Sequence, residues 1–505
     1  MRSNGLKNNK NLSNKSLFLA IIDKLAAMNG FAAPTKNLTE NSRKNLYDYM
    51  LVAATMLLVL VEFGMGRGFF EDEGSLALNI AKRSPGGLLL PLDSLQVAPI
   101  GFLMLEKFFS SIFGDTDWSF RIVAMLASFV MMLKVLQIRS SSGFNRAAFL
   151  LLLILNPSLL RYCIEVKQYI MDVLLAIFII TNLHRQKYIQ NFLVMAIFVW
   201  FSNVCFLLIL PLSAFYLYKN RKATGKLIPA LAGQIRDYLY IGVCGLSMGV
   251  YYLLFVKGNS NQEGMLEFWL NAKGIYQPGT SYLSFIAGVF GKISEIVNPF
   301  YTVFYLAKVG PLFGALLAVF LVYAAFRSEM GKITLIILGT HLIFSSFKLY
   351  PIDVRLVLYL LPFMIYVIVL EMSRLKIRKW AFIATFCCLP VPLLRQPIFP
   401  FRLDNTANYI KYLSDSGYKQ VYCKGGTIDI AAFYKLSLHL PIEIIKLKGT
   451  ETTLDTSIPI LVIRYRVQEL PQDQLSAYTL QNILLNGFGN KQISNSYMYV
   501  PNAAH

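Results

Sequence analysis

The sequence predicts a polytopic α-helical membrane protein with a small α/β domain near its C-terminal end. Hydrophobic residues make up 55% of the 505 residues and charged residues only 15%. The mean hydropathy of +0.51 is far above that of ordinary soluble proteins. Apolar stretches of about 20 residues, the length that crosses the hydrocarbon core as a helix, recur until about residue 400. Beyond that point the composition becomes polar.

About eleven stretches have the hydropathy of membrane spans. The third to sixth are short, so each adjoining pair predicts either one kinked passage or two tilted ones. The predicted spans are 49–66, 118–138, 146–160, 168–183, 190–203, 204–218, 236–256, 302–326, 332–347, 355–373 and 379–394.

Lys and Arg collect on alternate connections between these spans, which predicts the orientation because short basic loops stay in the cytoplasm. The basic N-terminal segment is the first of these, so the N-terminus is expected inside. The loop 67–117 and the domain 401–505 are then expected outside, in a cell inner or plasma membrane. The other basic connections carry Arg139 and Arg146; Arg185 and Lys187; Lys219, Arg221, Lys222 and Lys226; Arg327 and Lys332; and Arg374, Lys376, Arg378 and Lys379.

The formal net charge of +20 follows these loops rather than one soluble face with interleaved aromatic residues. Lipid headgroups explain such a distribution better than nucleic acid, so no nucleic-acid partner is expected. Residues 1–48 form a basic cytoplasmic tail without the features of a secretory signal peptide. Within it, Leu17–Met28 is weakly amphipathic, which is typical of a surface helix or of a disordered tail.

Residues 401–505 alternate helical and strand patterns, as small α/β layers do. The expected order is helix Asn405–Ser414, strand Gln420–Cys423, helix Thr427–Lys435, and strands near 442–447 and 458–464. The pair Gly425-Gly426 predicts a turn rather than a phosphate-binding loop.

Three consecutive acids, Glu71, Asp72 and Glu73, follow the first span. Carboxylates beside a membrane are costly to keep ionised without a partner. The rest of this loop predicts an amphipathic helix at 74–82 and a second helix at 99–113 that ends at Gly114. Two such helices on the membrane surface would place Asp72 at the mouth of a cavity between spans, although the triplet can also simply end a span in water.

The sequence Phe70-Glu71-Asp72-Glu73-Gly74 resembles the acidic first-loop motif of membrane glycosyltransferases of the GT-C fold, the superfamily of protein mannosyltransferases and the aminoarabinose transferase of lipid A. Other short motifs follow in the same order as in these enzymes. Gln96-Val97-Ala98-Pro99, Phe113-Gly114 and Trp118–Arg121 resemble their Pro-containing surface helix, Phe-Gly turn and Arg at the second span. The segment 162–172, with Glu165, Lys167 and Tyr169, is similar to their Glu-x-Lys-x-Tyr pattern.

The resemblance implies a GT-C fold and a transferase of a hexosyl or pentosyl group from a polyprenyl-phosphate carrier, acting on the extracytoplasmic face. A glycan, a lipid or a protein is the expected acceptor. The three acids are consecutive, so more than one of them could match the family's catalytic Asp. The match used here aligns Asp72-Glu73-Gly74 with the family's pattern of Asp, Glu and a small residue. On that placement Asp72 is the expected general base, and Glu73 orients the acceptor or assists.

Such chemistry requires a base for the acceptor proton and positive charge for the departing phosphate. Arg offers bidentate phosphate contacts and Lys a mobile charge, although cations at span ends also snorkel to the interface. Lys167 and Arg355 are favoured as phosphate ligands, and Arg355 also resembles an Arg that opens a late span in the family. The other cationic candidates are Lys82, Arg83 and Arg121, and the expected supporting residues are Glu71, Asp93, Glu165, Tyr169 and Tyr350.

No metal site with a dedicated spacing is present in the sequence, and no cofactor is certain. A divalent cation, Mg²⁺ or Mn²⁺, is nevertheless compatible with the carboxylates of Glu71, Asp72, Glu73, Asp93, Glu165 and Asp353. The six cysteines have the spacing of buried hydrophobic residues rather than of disulfides or ligands. His341 is expected to make a satisfied polar contact within a span.

The loop 257–299 carries Trp269 and Gly/Pro turns and is expected either to cover the site or to anchor in the interface. Two other functions share these features: a transporter or flippase of lipid-linked sugars, and a noncatalytic membrane scaffold. A transporter of that kind often shows related halves with helices broken at mid-membrane, and the sequence shows no convincing internal repeat.

Overall fold

The structure is a computed structural model that describes most of the chain. The described residues are 40–64, 68–138, 144–154, 156–224, 235–277, 279–297, 310–374, 406–447, 454–463, 470, 475–481 and 496–502. The predicted surface segment 17–28 and the predicted span 379–394 lie outside them.

The described residues are mostly helical, with seventeen α-helices and one five-stranded sheet. The helices are α1 Glu40–Gly64, α2 Glu71–Lys82, α3 Ile100–Phe113, α4 Ile122–Val135, α5 Arg146–Ile154, α6 Pro157–Tyr162, α7 Tyr169–His184, α8 Gln190–Phe198, α9 Cys205–Thr224, α10 Ile235–Tyr251, α11 Asn261–Asn271, α12 Tyr282–Val297, α13 Gly310–Arg327, α14 Glu329–Ser346, α15 Leu360–Arg374, α16 Thr406–Asp415 and α17 Thr427–Ser437. A π-helical turn, Tyr252–Val256, extends α10, and 3₁₀ turns lie at Gly87–Leu89, Ser119–Arg121 and Leu475–Ala477.

Two helical stretches in the described part of the chain are long and apolar enough to cross a membrane, Leu46–Gly64 and Asp237–Val256. Shorter apolar stretches lie at Tyr169–His184, Cys205–Asn220, Tyr282–Ile293 and Ala315–Arg327. Helices occupy most of the other predicted spans as well, but the number of crossings stays a prediction.

Two predicted spans differ from the observed helices for local reasons. The span 146–160 is divided between α5 and α6, because Asn156 caps a new helix with Pro157 at its first position. Its side chain accepts a hydrogen bond from the backbone N–H of Leu159 at 3.0 Å. The span expected to begin at Arg355 becomes α-helical only at Leu360, and the preceding residues form turns. Arg355 therefore lies on a non-helical segment rather than on a helix.

The loop after α1 contains both helices that the sequence predicts. α2 begins at Glu71, three residues earlier than expected, with three acids in its first turn, where carboxylates favour the positive end of the helix dipole. Lys107 from α3 covers the other end of α2 and donates to the carbonyls of Ile80 and Ala81 at 2.8 and 3.2 Å. α3 ends before Gly114, whose φ of +82° is readily adopted by glycine.

The C-terminal segment forms a mixed sheet in the order β2-β1-β3-β5-β4. Its first three strands are parallel, with Gln420 opposite Glu443 and Tyr422 opposite Ile460, and β5 pairs antiparallel with β3 and β4. The strands are β1 Gln420–Lys424, β2 Glu443–Lys446, β3 Ile460–Ile463, β4 Tyr478–Gln481 and β5 Ser496–Pro501. The predicted elements of this segment agree with α16, β1, α17, β2 and β3 to within a few residues, whereas β4 and β5 were not predicted.

One hydrophobic core joins this segment to the helices that precede it. Val421 and Cys423 of β1 and Phe433 of α17 belong to the same buried cluster as Phe69 and Phe120. The Phe433 ring lies 4.9 Å from the ring of Phe69 and 5.6 Å from that of Phe120, in edge-to-face geometry. The residues around α2 are thus held between the helical part and the C-terminal sheet.

Candidate active site

Asp72 lies in the first turn of α2 and directly contacts the guanidinium of Arg355. Both side chains remain partly open, with 33% of Asp72 and 24% of Arg355 exposed. Arg355 also lies 3.7 Å from the carboxylate of Asp353 and has its guanidinium 5.4 Å from the centre of the Trp269 ring. The structure therefore brings together an acid and a cation that are 283 residues apart in sequence.

Two further cations surround this acid. Burial acts to raise the pKa of Asp72, but the charges of Lys167, Arg355 and Arg161 outweigh it, and the pKa lies below its usual value. Arg161 is itself paired with Glu165 at 3.0 Å. We call Asp72, Arg161, Glu165, Lys167 and Arg355 the Asp72 cluster. An ionised carboxylate beside several cations is suited to accept a proton while an anion binds next to it.

Lys167 is almost fully buried, with 6% of its surface exposed. Its ammonium donates to the side-chain carbonyl of Gln96 at 2.6 Å. Burial lowers the pKa of Lys167, and nearby Asp72 and Glu165 offset this only in part. Because Gln96 is neutral, an anionic ligand would compensate the charge of Lys167 better than its present hydrogen-bond partner does.

Helix α11 borders the Asp72 cluster on the side of Arg355. Trp269 is 5% exposed, and Gly274, just beyond α11, accepts a hydrogen bond from the backbone of Ile352 at 2.7 Å. At its other end, Asn261 donates to the carbonyls of Leu92 and Gln96 at 2.7 and 3.2 Å. The loop predicted as a cover thus contacts both the first loop and the Arg355 segment, and its tryptophan is packed against Arg355.

Glu73 and Arg121 lie together in the protein interior. Glu73 has no exposed surface and accepts hydrogen bonds from the backbone N–H groups of Phe70 at 3.0 Å and Val166 at 2.9 Å. Arg121 is 2% exposed, lies 3.8 Å from Glu73, and covers the Phe69 ring at 4.8 Å. These contacts connect the start of α2 to the Lys167 segment, and they leave neither side chain open to a substrate.

Three other predicted residues lie at the far end of α2. Lys82 is exposed and follows Asp72 by ten residues, roughly 15 Å along the helix axis. Arg83 forms an ion pair with Asp93 at 2.9 Å and donates to the carbonyls of Gly87 and Pro91 at 3.2 and 2.9 Å. The structure therefore places these residues outside the Asp72 cluster, where Arg83 and Asp93 hold the loop after α2 in shape.

The remaining predicted residues support neighbouring parts of the site. Glu71 lies against Gly426 of the C-terminal segment. Tyr169 opens α7, and its ring lies 5.1 Å from that of Tyr162. Tyr350 lies just before the Arg355 segment, with its ring 5.3 Å from His341.

His341 itself contacts Tyr359 and the carbonyl of Pro351 at 3.0 and 3.1 Å, which confirms the expected polar contact. The four cysteines within the described residues, Cys163, Cys205, Cys244 and Cys423, are free and buried, as expected. Among the described residues, no group of three or more His, Cys, Asp or Glu side chains has the arrangement of a metal site.

Solved structures resemble the fold of this chain only at low similarity. The fold resembles ArnT from Cupriavidus metallidurans in its crystal structures bound to undecaprenyl phosphate and in the apo state. Each comparison gives a TM-score of 0.40, with 11% and 12% sequence identity. The matches cover 90% and 89% of this chain and 98% and 97% of ArnT. The chain matches no protein-family model and no curated protein. The chemistry of the site is therefore argued from its own residues.

The sequence analysis missed Arg161 and Lys292. Arg161 and Glu165 have the i,i+4 spacing of helical ion pairs, which was a usable signal immediately before the predicted Glu-x-Lys-x-Tyr pattern. Lys292 donates to the carbonyl of Ile352 at 2.9 Å and lies 3.8 Å from Asp353. No sequence spacing links Lys292 to Asp353, because they come together only through the packing of α12 against the Arg355 segment.

Proposed function

We propose that this protein transfers a sugar from a polyprenyl-phosphate carrier to an acceptor on the extracytoplasmic side of a membrane. The observation that carries the proposal is the Asp72 cluster, in which one partly open carboxylate directly contacts Arg355 and is flanked by Lys167 and Arg161. A base next to several cations meets the two requirements of glycosyl transfer from a phosphate. The apolar composition of the chain supports a donor that is reached from the bilayer.

In the proposed reaction Asp72 takes the proton of an acceptor hydroxyl while the acceptor oxygen attacks the anomeric carbon of the sugar. The bond between that carbon and the phosphate oxygen breaks, and the prenyl phosphate leaves with the electron pair. Arg355 and Lys167 compensate the charge that grows on the phosphate, and Arg161 adds a third positive charge nearby. Because Asp72 holds Arg355 in the free protein, the donor phosphate must draw Arg355 away, which frees the base only when the donor is bound.

Glu73 and Arg121 have positioning roles in this proposal. Glu73 is fully buried and is bound by two backbone N–H groups, so it fixes the start of α2 rather than orienting the acceptor. Arg121 compensates its charge from 3.8 Å. Lys82 and Arg83 are too far along α2 to bind the same phosphate as Arg355.

Purified full-length protein in lipid nanodiscs, supplied with a radiolabelled polyprenyl-phosphate sugar and an envelope extract as acceptor source, tests the function. Label should pass to a product without the carrier. Asp72→Asn should lower the rate by roughly 10²- to 10⁴-fold, the usual contribution of a general base. Asp415→Asn is a matched control, because Asp415 is an exposed acid at the end of α16 and lies outside the cluster.

Full transfer by the Asp72→Asn variant would refute the role of the base. Movement of intact donor across the bilayer without transfer would support the alternative of a lipid-linked sugar transporter or flippase. Parallel assays with EDTA, followed by added Mg²⁺ or Mn²⁺, test the divalent cation. Lost activity that returns with the metal would add a cation to the site.

A further inference from the structure

Helix α2, which carries Asp72, is clamped against the turn and helix that follow β1 in the C-terminal segment. A Cβ atom at Gly426 would lie 1.7 Å from Cγ of Glu71, the residue directly before Asp72. A Cβ atom at Gly74, two residues after it, would lie 2.5 Å from the side chain of Ile430. Such close approach requires glycine at both positions. The acid-bearing turn of α2 is therefore held from both sides of Asp72.

Asp429, in the first turn of α17, connects α2 to the loop that carries Gln96. Its Oδ2 accepts hydrogen bonds from Ser75 at 2.7 Å and from Ser94 at 2.6 Å. Ser75 lies on α2, three residues after Asp72. Ser94 lies two residues before Gln96, whose side chain accepts the hydrogen bond from Lys167. One carboxylate of the C-terminal segment thus joins the helix of the proposed base to the loop that holds the proposed phosphate ligand.

We propose that Asp429 is a positioning residue that fixes the Gln96 loop relative to α2, and so sets where Gln96 holds the ammonium of Lys167 relative to Asp72, while Glu73 holds the backbone of the Lys167 segment. The C-terminal segment would thereby affect the transfer step. This inference rests on the proposed function, because it concerns the same base and the same cation. It adds a defined role for a segment that contains no member of the Asp72 cluster. Losing the link should slow the reaction, because displacement of a reacting group by about 1 Å can cost on the order of 10²-fold in rate.

Other contacts should keep the C-terminal segment docked when Asp429 is changed. The hydroxyl of Tyr434 accepts from the backbone N–H of Phe69 at 3.2 Å and donates to Asp117 at 2.8 Å. Ser437 donates to the carbonyl of Asp115 at 2.5 Å. Removing Asp429 therefore breaks its own hydrogen bonds to Ser75 and Ser94 without breaking the interface as a whole, and the contacts of Asn79 with the backbone of Asp93 remain.

The test compares Asp429→Ala and Asp429→Asn in the full-length protein. We expect Asp429→Ala to reduce kcat by about 10- to 100-fold with a small change in the donor KM, since the phosphate ligands themselves are intact. Asp429→Asn keeps one oxygen that accepts hydrogen bonds and should restore part of kcat. Glu443→Ala is the matched control, because Glu443 is an exposed acid on β2. Its side chain accepts a hydrogen bond from Gln420 of the neighbouring strand. This variant should have the wild-type kcat.

Ser75→Ala and Ser94→Ala test the same link from the other side if Asp429→Ala does not fold. Each should lower kcat, and the double variant should lose less than the product of the two single effects, because both serines act through one carboxylate. Wild-type kcat in the serine variants, or in Asp429→Ala, would overturn the proposal. So would a loss in Asp429→Ala that appears only as a raised donor KM.

Hydrogen exchange separates failure of this inference from failure of the proposed function. Residues 71–82 should exchange faster in Asp429→Ala than in the wild type, whether or not the protein has the proposed activity. Absence of transfer by the wild-type protein would refute the function and leave this measurement to decide the link. Unchanged exchange across residues 71–82 would refute the link even in an active enzyme.

Discussion

Competition between Asp72 and the donor phosphate for Arg355 gives the sharpest prediction. In the free protein the two side chains contact each other while partly exposed. An ion pair of that exposure contributes roughly 0.2 to 1 kcal/mol. A charge-assisted hydrogen bond from Arg355 to phosphate contributes about 1.5 to 3 kcal/mol. The difference leaves a net gain of about 0.5 to 2.8 kcal/mol on donor binding, which corresponds to roughly 2- to 100-fold in Kd.

Two substitutions should therefore change donor affinity in opposite directions. Arg355→Ala should weaken donor binding by that roughly 2- to 100-fold. Asp72→Asn removes the competitor for Arg355 and should strengthen binding by up to about fivefold, the equivalent of roughly 1 kcal/mol, although it slows transfer. In the double variant most of the gain from Asp72→Asn should disappear, because the arginine that it releases is absent.

Isothermal titration calorimetry of each variant in nanodiscs with a nonreactive prenyl phosphate measures these Kd values. The salt concentration is kept constant, because screening weakens exposed ion pairs. Asp415→Asn is again the charge-matched control and should have the wild-type Kd. Weaker donor binding by Asp72→Asn would contradict the competition. If Asp72→Asn raised the donor affinity by the same factor in the wild type and in Arg355→Ala, Asp72 would only repel the phosphate through space.

Three further predictions concern the surroundings of the base. Lys167→Met removes a positive charge that lowers the pKa of Asp72, so that pKa should rise and the acid limb of kcat/KM for the donor should move to higher pH; an acid limb at the wild-type pH would contradict this. Gly74→Ala should lower the free energy of unfolding by about 1 to 3 kcal/mol through overpacking against α17, whereas Gly64→Ala, with nothing within 4 Å, should not; thermal unfolding of the two variants gives the comparison. Glu73→Gln places an amide N–H group opposite one of the two backbone N–H groups that now bind the carboxylate. It should lower the unfolding temperature even when the prenyl-phosphate sugar is bound, and an unchanged unfolding temperature would argue against the positioning role of Glu73.

The local elements of the first loop and of the C-terminal segment were predictable because local signals determine them. Gly114 and the apolar run before it indicated the end of α3. Acids favour the N-terminal turn of a helix, so the triplet was a usable signal for a start at Glu71, whereas the expected helix began three residues later. The strands β4 and β5 were missed, since their pairing depends on partners distant in sequence.

The site was predictable only in part. Motif order pointed to Asp72 and Lys167, and a charged residue opening an apolar stretch pointed to Arg355. These signals favoured Lys167 and Arg355 over Lys82 and Arg83, but sequence position alone could not exclude the latter two, because residues of equal charge differ only in where the fold places them. The length of α2 is the physical reason that Arg83 forms a structural pair with Asp93 instead of joining the cluster.

The long separation between Phe69 and Tyr434, 365 residues, has a consequence for biogenesis. During synthesis α2 emerges early, whereas the turn and helix α17 that clamp it are synthesised only after most of the chain. A nascent or truncated chain would carry every member of the Asp72 cluster and still lack the clamp on α2. Alignment of the acid by this clamp would therefore await synthesis of the C-terminal segment.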